Sequence, residues 1–260
     1  MNLPPGKNIQ KVLYLTRIKR SQQTSLFLFY KEMQSLVNKG EALQKPVMYI
    51  RHQYYVNISS QVQSSKNNMP IVSLNMLRDP VERFISEYYF IRHGSEMTQK
   101  LEELNKATKV KSRTLNETVD QCVDKRRGEC YHDMEQVLVK FFCGQSVVCL
   151  ESSDSKTALH KARDHLLHAY QYIGISERYE DSIKLLEATF PAMLKGIYDI
   201  YISRFRTKTH NQTARKTETS ELTKRTLRKM LKNDVDLYEM ARFLFHEKFQ
   251  HYKNNNLFIS

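Results

Sequence analysis

No apolar run in this chain approaches the roughly 18 residues that a bilayer-spanning helix requires; the longest clear one is Ser25–Tyr30. The opening residues, Met1 to Lys7, lack the apolar h-region of a secretory leader. Neither close pair of cysteines is a C-x-x-C, which sets aside the common zinc and thioredoxin patterns. There is no G-x-x-x-x-G-K-[ST] and no aspartate placed for Mg²⁺, which argues against a P-loop kinase or other nucleoside triphosphate user. Internal repeats, low-complexity tracts and metal-ligand constellations are missing as well.

Positive charge is abundant. The 260 residues carry a formal net charge of +13, with 27% charged and 40% hydrophobic residues. The sequence pI is near 9.5 and the mean hydropathy −0.59. That balance describes a water-facing chain with enough apolar matter for one large domain. The charge favours a polyanionic partner, whether nucleic acid, acidic membrane or acidic polysaccharide, and does not choose among them. A basic surface that binds nothing is the bland alternative.

Cys122 and Cys130 bracket seven residues, and Cys143 and Cys149 bracket five. The spacing suits two short-loop disulfides, although four cysteines allow three pairings. Three glycosylation sequons accompany them, at Asn57, Asn116 and Asn211. Each sequon alone is weak. Together with the paired cysteines they point to an oxidising, secretory compartment, and against a nucleic-acid partner. A membrane anchor upstream of residue 1 is the simplest way to reconcile that compartment with the missing leader.

Strand-like and helix-like segments alternate along the chain. Val12–Thr16 reads as a strand, followed by a basic polar turn from Arg17 to Ser25. A helix is expected up to about Val37, ended by Asn38-Lys-Gly40. Short strands are expected at Pro46–Ile50, Ile71–Leu77 and Tyr170–Ser176. Pro80 falls at the first turn of a helix, where its missing N–H costs nothing, and that helix should stop by Gly94. Residues 95–118 read as an exposed basic insertion. Further helices are expected over Ser155–Ala169, over Tyr179–Thr189 with Pro191 halting it, and from Glu221 to Tyr252 as one long closing helix. Residues 203–220 form a basic, threonine-rich loop. The alternation predicts an α/β fold with a mainly parallel sheet.

The most informative stretch is Asn75 to Gly94. A strand ends at Leu77, Arg78 follows, and Ser86 lies eight residues further on. A strand-to-helix junction offers free N–H groups and the positive end of a helix dipole, which suits an anion. Arg78 supplies a bidentate fork and Ser86 a hydroxyl, a pair able to hold a phosphate. The bland alternative is a local Arg78–Asp79 ion pair with Ser86 as a small packing residue.

This stretch resembles the 3′-phosphate-binding motif of the heparan sulfate 2-O-sulfotransferase and uronyl 2-sulfotransferase family, which includes the Pipe-like insect proteins. Thr118 to Cys122 and Phe141 to Gln145 are similar to that family's segments around its two disulfides. Tyr172 to Asp181 is similar to its strand-Gly-hydrophobic-Thr/Ser-Glu segment, and Glu239 to Phe249 to its closing helix. The resemblance covers roughly residues 45 to 250.

It implies a sulfotransferase fold over residues 1–260 as one catalytic domain, with a P-loop-like donor site flanked by helices. The donor would be 3′-phosphoadenosine 5′-phosphosulfate, with no metal. Arg78 and Ser86 would grip its 3′-phosphate. Tyr49-Ile-Arg-His52 matches the family's short strand ending in the catalytic base, so His52 would take the acceptor's proton; its ordinary pKa suits that role. The bland reading of His52 is one surface histidine among nine. Lys208, Arg215 and Lys216 lie in a loop resembling the one that closes over the nucleotide. Lys109, Lys111 and Arg113 fall where the family gathers acceptor contacts. For both basic groups the bland alternative is a solvated surface.

The 5′-phosphosulfate loop departs from the family pattern. Arg17-Ile18 fits, but the proline is gone and no small residue permits close backbone approach between Lys19 and Ser25. Ungapped, Arg20 replaces the family's lysine; with one deletion, Lys19 is the lysine, and Thr24 a ligand hydroxyl. Arginine cannot shuttle a proton and its fork is not a point charge. The resemblance therefore predicts either a uronyl 2-O-sulfotransferase of the Golgi lumen, type II in its full-length form, or a catalytically impaired glycan-binding relative. An acidic glycosaminoglycan would be the partner in both cases, and a homo-oligomer is compatible with the family.

Overall fold

The computed structural model describes residues 26–43, 53–58, 60, 62, 71–94, 115–131, 136–151, 155–206 and 213–258. The chain divides into two compact units, Met1–Val72 and Ser73–Ser260. The expected strands at 12–16 and 46–50 lie outside the described residues.

In the first unit, helix α1 spans Leu26–Leu43. It runs past the expected stop at Val37, carrying Gly40 within it. Phe29, Met33, Leu36 and Gly40 recur at helical spacing, and Phe29, Met33 and Gly40 are buried along that stripe. Phe29 and Met33 form a small core with Val62, lined by Leu36, Val37, Val56 and Ile58. That burial outweighs the roughly 1 kcal/mol that glycine costs inside a helix.

The second unit holds β1 (Leu74–Leu77) and β2 (Tyr172–Ile175), paired in parallel with Leu77 opposite Ile175. Both are shorter than the sequence pattern suggested. The strands approach closely at Gly174, where a Cβ would come within 2.6 Å of the Met76 sulfur and displace that side chain. Helix α2 follows β1 as Pro80–His93, with Pro80 at the first position and Gly94 ending it at φ 72°. Both bounds match the sequence reading.

The cysteine-bearing region folds into α3 (Val119–Asp124), α4 (Gly128–Tyr131), α5 (Val137–Cys143) and α6 (Val147–Glu151). Thr118 and Gln121 form a capping box at the start of α3. The disulfides are Cys122–Cys130 and Cys143–Cys149, the short-loop pairing. Helix α7 (Lys156–His168), capped by Ser155, lies before β2. After β2 and a tight turn at Ser176–Arg178 come α8 (Tyr179–Thr189), α9 (Pro191–Leu194) and α10 (Ile197–Arg204). Pro191 ends one helix and occupies the first turn of the next, where its ring does no harm.

The expected single closing helix is two: α11 (Glu221–Met230) and α12 (Lys232–Asn254), broken at Leu231. The cause is a side chain inserted into the helical ladder. Gln136 Oε1 accepts the Asp234 N–H at 3.1 Å, and Gln136 Nε2 donates to the Met230 carbonyl at 2.8 Å. The two backbone groups that would have bonded each other are both satisfied by one carboxamide.

The main core gathers Leu77, Phe142, Leu166, Tyr172, Ile175, Leu185, Leu237 and Phe245 between the sheet, α5, α7, α8 and α12. A second core, under α2, joins Val81, Ile85, Tyr88 and Tyr89 to Val119, the Cys122–Cys130 bridge, Leu227 and Leu231. Helices packed on a parallel strand pair make this the expected α/β arrangement.

Candidate active site

The site is built at the end of β1. Leu77 is buried, Arg78 is half-buried, and Asp79 begins α2. Asp79 Oδ1 accepts the N–H groups of Val81 at 2.8 Å and Glu82 at 3.0 Å. These amides were expected to be free for an anion; the protein's own carboxylate already takes them. Asp79 Oδ2 pairs with Arg228 at 3.1 Å rather than with its neighbour Arg78. The Arg78 guanidinium makes no ion pair or hydrogen bond among the described residues. A half-buried arginine at a strand end with its fork uncommitted is suited to an external anion.

Ser86 is not a mere packing residue. Its hydroxyl lies 3.0 Å from the hydroxyl of Thr213, which opens the described part of the basic loop. Two hydroxyls bonded to each other use one proton and leave the other to donate outward. The loop then crosses α2 as a strap. The Ala214 N–H donates to the Gly94 carbonyl at 3.1 Å, Lys216 pairs with Glu82 at 3.2 Å, and the Thr217 hydroxyl lies 2.5 Å from the Tyr89 hydroxyl. Arg215 sits on the strap with a left-handed backbone, φ 54°.

Behind the strap, α2 is locked to the disulfide region. The Arg92 side chain is 1% exposed, donates to Glu129 at 2.5 Å and to the Tyr88 carbonyl at 3.2 Å, and stacks 3.4 Å above the Tyr88 ring. Tyr89 OH accepts the Val119 N–H at 3.3 Å. His93 is buried and stacked on Tyr89. Burial lowers its pKa, and the nearby Arg215 and Arg92 charges lower it further, so it is neutral near pH 7. Burial drives the Tyr88 phenol well above its ordinary value. Glu117 is buried beside Lys125 and Arg127; burial would raise its carboxyl, but hydrogen bonds from both cations hold it low.

Of the predicted site residues, the structure brings Ser86 together with the strap that carries Arg215 and Lys216. Arg78 stands between the end of β1 and the Asp79 cap of α2, and Lys216 is engaged by Glu82. Arg17, Lys19, Arg20, Thr24, Ser25, His52, Lys109, Lys111, Arg113, Lys208 and Asn211 lie outside the described residues. Asn57 and Asn116 are exposed. One Cys/Glu cluster of metal-site size is found among the described residues, at Cys122, Glu129 and Cys130. Its two sulfurs are bonded to each other, which removes them as ligands.

Sequence reading missed Thr213, Tyr89 and Arg92 as parts of this site, and Glu177, whose Oε1 accepts the Asp79 N–H at 2.9 Å. All lie in segments that the pattern singled out. Apart from the Arg92–Tyr88 contact within α2, no one-dimensional signal names their partners, which are tens of residues away or more.

An α/β scaffold with an uncommitted arginine after β1 and a basic strap on the following helix suits an anionic ligand. The chain matches the Sulfotransferase family over residues 8–241 and belongs to it. It is 30% identical over 241 residues to heparan sulfate 2-O-sulfotransferase 1 of Mus musculus, across 91% of this chain and 63% of that protein. The Homo sapiens protein of that name is 29% identical over the same extents, 91% and 63%. Heparin sulfate O-sulfotransferase of Drosophila melanogaster is 28% identical over 209 residues, 78% of this chain and 56% of that protein. The chain thus spans less than two-thirds of the length of these curated relatives. No helix among the described residues is long and apolar enough to cross a membrane.

Proposed function

We propose that this chain carries the catalytic region of a glycan sulfotransferase that moves a sulfuryl group from 3′-phosphoadenosine 5′-phosphosulfate to the 2-hydroxyl of a uronic acid. The observation that carries the reading is the uncommitted Arg78 fork at the start of α2, with the Ser86–Thr213 hydroxyl pair holding a basic strap on the same helix. Family membership and the names of the relatives support the reaction class and a glycosaminoglycan acceptor.

In this reading Arg78 and the free proton of the hydroxyl pair hold the donor's 3′-phosphate, and Arg215 adds positive charge from the strap. The donor supplies an activated sulfuryl group. His52 removes the acceptor hydroxyl's proton as that oxygen bonds to sulfur. The bond from sulfur to the bridging oxygen breaks, and its electron pair stays on the 5′-phosphate. Lys19 or Arg20 neutralises the charge that develops there, a contribution that is commonly the largest in such transfers. Positioning and charge neutralisation suffice, as in phosphoryl transfer. Lys208 joins Arg215 in the loop that closes over the donor nucleotide, and Lys109, Lys111, Arg113 and the +13 net charge suit an acidic glycosaminoglycan.

Two disulfides and the exposed sequon asparagines Asn57 and Asn116 support an oxidising secretory setting, which for this reaction is the Golgi lumen. The test is transfer of radiolabelled sulfate from the donor to a panel of desulfated glycosaminoglycans, with His52→Ala as control. Transfer to a uronic-acid 2-position that disappears in the control supports the reading. Heparin binding by a folded, disulfide-intact chain without any transfer overturns it, and leaves a glycan-binding relative.

A further inference from the structure

β2 runs directly into Ser176 and Glu177, and these two side chains grip the backbone on either side of Arg78. The Ser176 hydroxyl donates to the Leu77 carbonyl at 2.6 Å. Glu177 Oε1 accepts the Asp79 N–H at 2.9 Å. The first group belongs to the peptide before Arg78 and the second to the peptide after it, so both planes that define its φ and ψ are held. The parallel ladder ends at Leu77 and Ile175. Beyond it, side chains take over the register that backbone bonds had kept.

Glu177 is itself anchored, since its Oε2 accepts the hydroxyl of Tyr238, a buried residue of α12, at 2.9 Å. Its placement also replaces a local device. Asp79-Pro-Val-Glu82 has the spacing of a capping box, in which Glu82 would reach back to the Asp79 N–H. Glu82 instead faces Lys216 of the strap and Lys224. Glu177 accepts the N–H from another element, and Glu82 is released to hold the strap. One substitution of partners thereby serves both sides of the site.

We propose that Ser176 and Glu177 are positioning residues for the donor's 3′-phosphate, acting by fixing the peptide planes that aim the Arg78 guanidinium. The inference rests on the donor-site reading above. Its signature is selective: loss of either grip should weaken ligands that carry a 3′-phosphate and spare those that lack one.

The experiment is calorimetric titration of the full chain with adenosine 3′,5′-bisphosphate and with adenosine 5′-monophosphate, alongside thermal unfolding. Glu177→Ala should lower the preference for the bisphosphate by about tenfold, the scale of one charge-assisted hydrogen bond. Glu177→Gln should restore it, because the amide oxygen still accepts and the amide nitrogen still reaches Tyr238. Ser176→Ala and Ser176→Thr form a second pair with the same expected loss and rescue, and they decide the matter if Glu177→Ala does not fold. An unchanged preference in folded alanine variants overturns this inference alone. A wild-type chain with no preference for the 3′-phosphate overturns the donor-site reading, and this inference with it.

Discussion

Gln136 and Asp234 cap each other across 98 residues of sequence. The Gln136 carboxamide takes the Asp234 N–H and the Met230 carbonyl, and the Asp234 carboxylate accepts the N–H groups of Leu138 and Val139 at 3.0 and 2.8 Å. The first pair of bonds breaks the closing helix; the second caps α5. Gln136→Ala should therefore strand two backbone groups, each costing about 1–3 kcal/mol when buried. Chemical denaturation should show a loss of about 2–4 kcal/mol, and hydrogen exchange should quicken first around Met230 to Asp234.

Asp234 also sets a pH dependence. It is fully buried, and burial pushes its pKa up from 3.8 to about 6 against the lowering effect of its amide donors. Between those two values the folded state holds more proton than the unfolded state, so this residue's contribution to stability falls as pH rises through about 4 to 6. Above that window the loss is complete. Asp234→Asn cannot titrate, so its stability relative to wild type should rise by on the order of 2–3 kcal/mol from pH 4 to pH 6.5. Denaturation curves of the two proteins at matched pH check this. A constant difference across the window would mean the carboxylate is ionised throughout.

Helix α2 was legible because its signals are local. Pro80 starts it and Gly94 stops it, both within one short stretch. Helices α7 and α8 also fall where the sequence reading put them, the second ended by Pro191. The break at Leu231 was not, since the residue that causes it is Gln136. The pattern around Arg78 and Ser86 pointed to a strand-to-helix junction with free amides; the junction is there, but Asp79 already takes the amides. The strap could be named as a basic loop; that Thr213 meets Ser86, 127 residues earlier, is tertiary information. The family resemblance supplied roles for His52, Lys19 and Arg20 that no spacing or charge would have assigned.

Arg92 is a structural cation, and its substitutions should separate packing from charge. Its partner Glu129 keeps 44% of its side chain exposed and can return to water when unpaired. The guanidinium's stacking on Tyr88 and its bond to the Tyr88 carbonyl have no such substitute. Arg92→Lys keeps the charge but loses the planar stack, and should cost about 1–2 kcal/mol. Arg92→Ala also opens a cavity beside the Cys122–Cys130 core and should cost about 3 kcal/mol or more. Equal losses in the two variants would show that the retained charge contributes nothing, and a loss confined to Arg92→Ala would show that the planar stack does not matter.

The Cys122–Cys130 bridge closes a loop with a sequence separation of 8, and it lies in the core on which α2 rests. Chain entropy gives such a short loop about 2–3 kcal/mol. Cys122→Ser with Cys130→Ser should lower stability by that amount in urea. A reductant should cost wild type more than the variant, in which only Cys143–Cys149 remains to be opened.

The Ser86–Thr213 contact is the sharpest test of whether the strap works with α2. Each hydroxyl can serve structure, ligand or both, and single variants do not separate these. Ser86→Ala, Thr213→Ala and the double variant form a cycle whose coupling free energy reports the pair. A hydrogen bond that only tethers the strap should couple by about 0.5–1.5 kcal/mol in stability, with equal coupling whether or not nucleotide is present. A pair that also donates its second proton to a 3′-phosphate should couple more strongly in adenosine 3′,5′-bisphosphate affinity than in unfolding. Arg78→Ala in the same assay should weaken that affinity by about tenfold or more, and Arg78→Lys should recover only part of it, since a single ammonium cannot replace a bidentate fork. Coupling confined to unfolding, with Arg78→Ala silent, would move the anion site away from the start of α2.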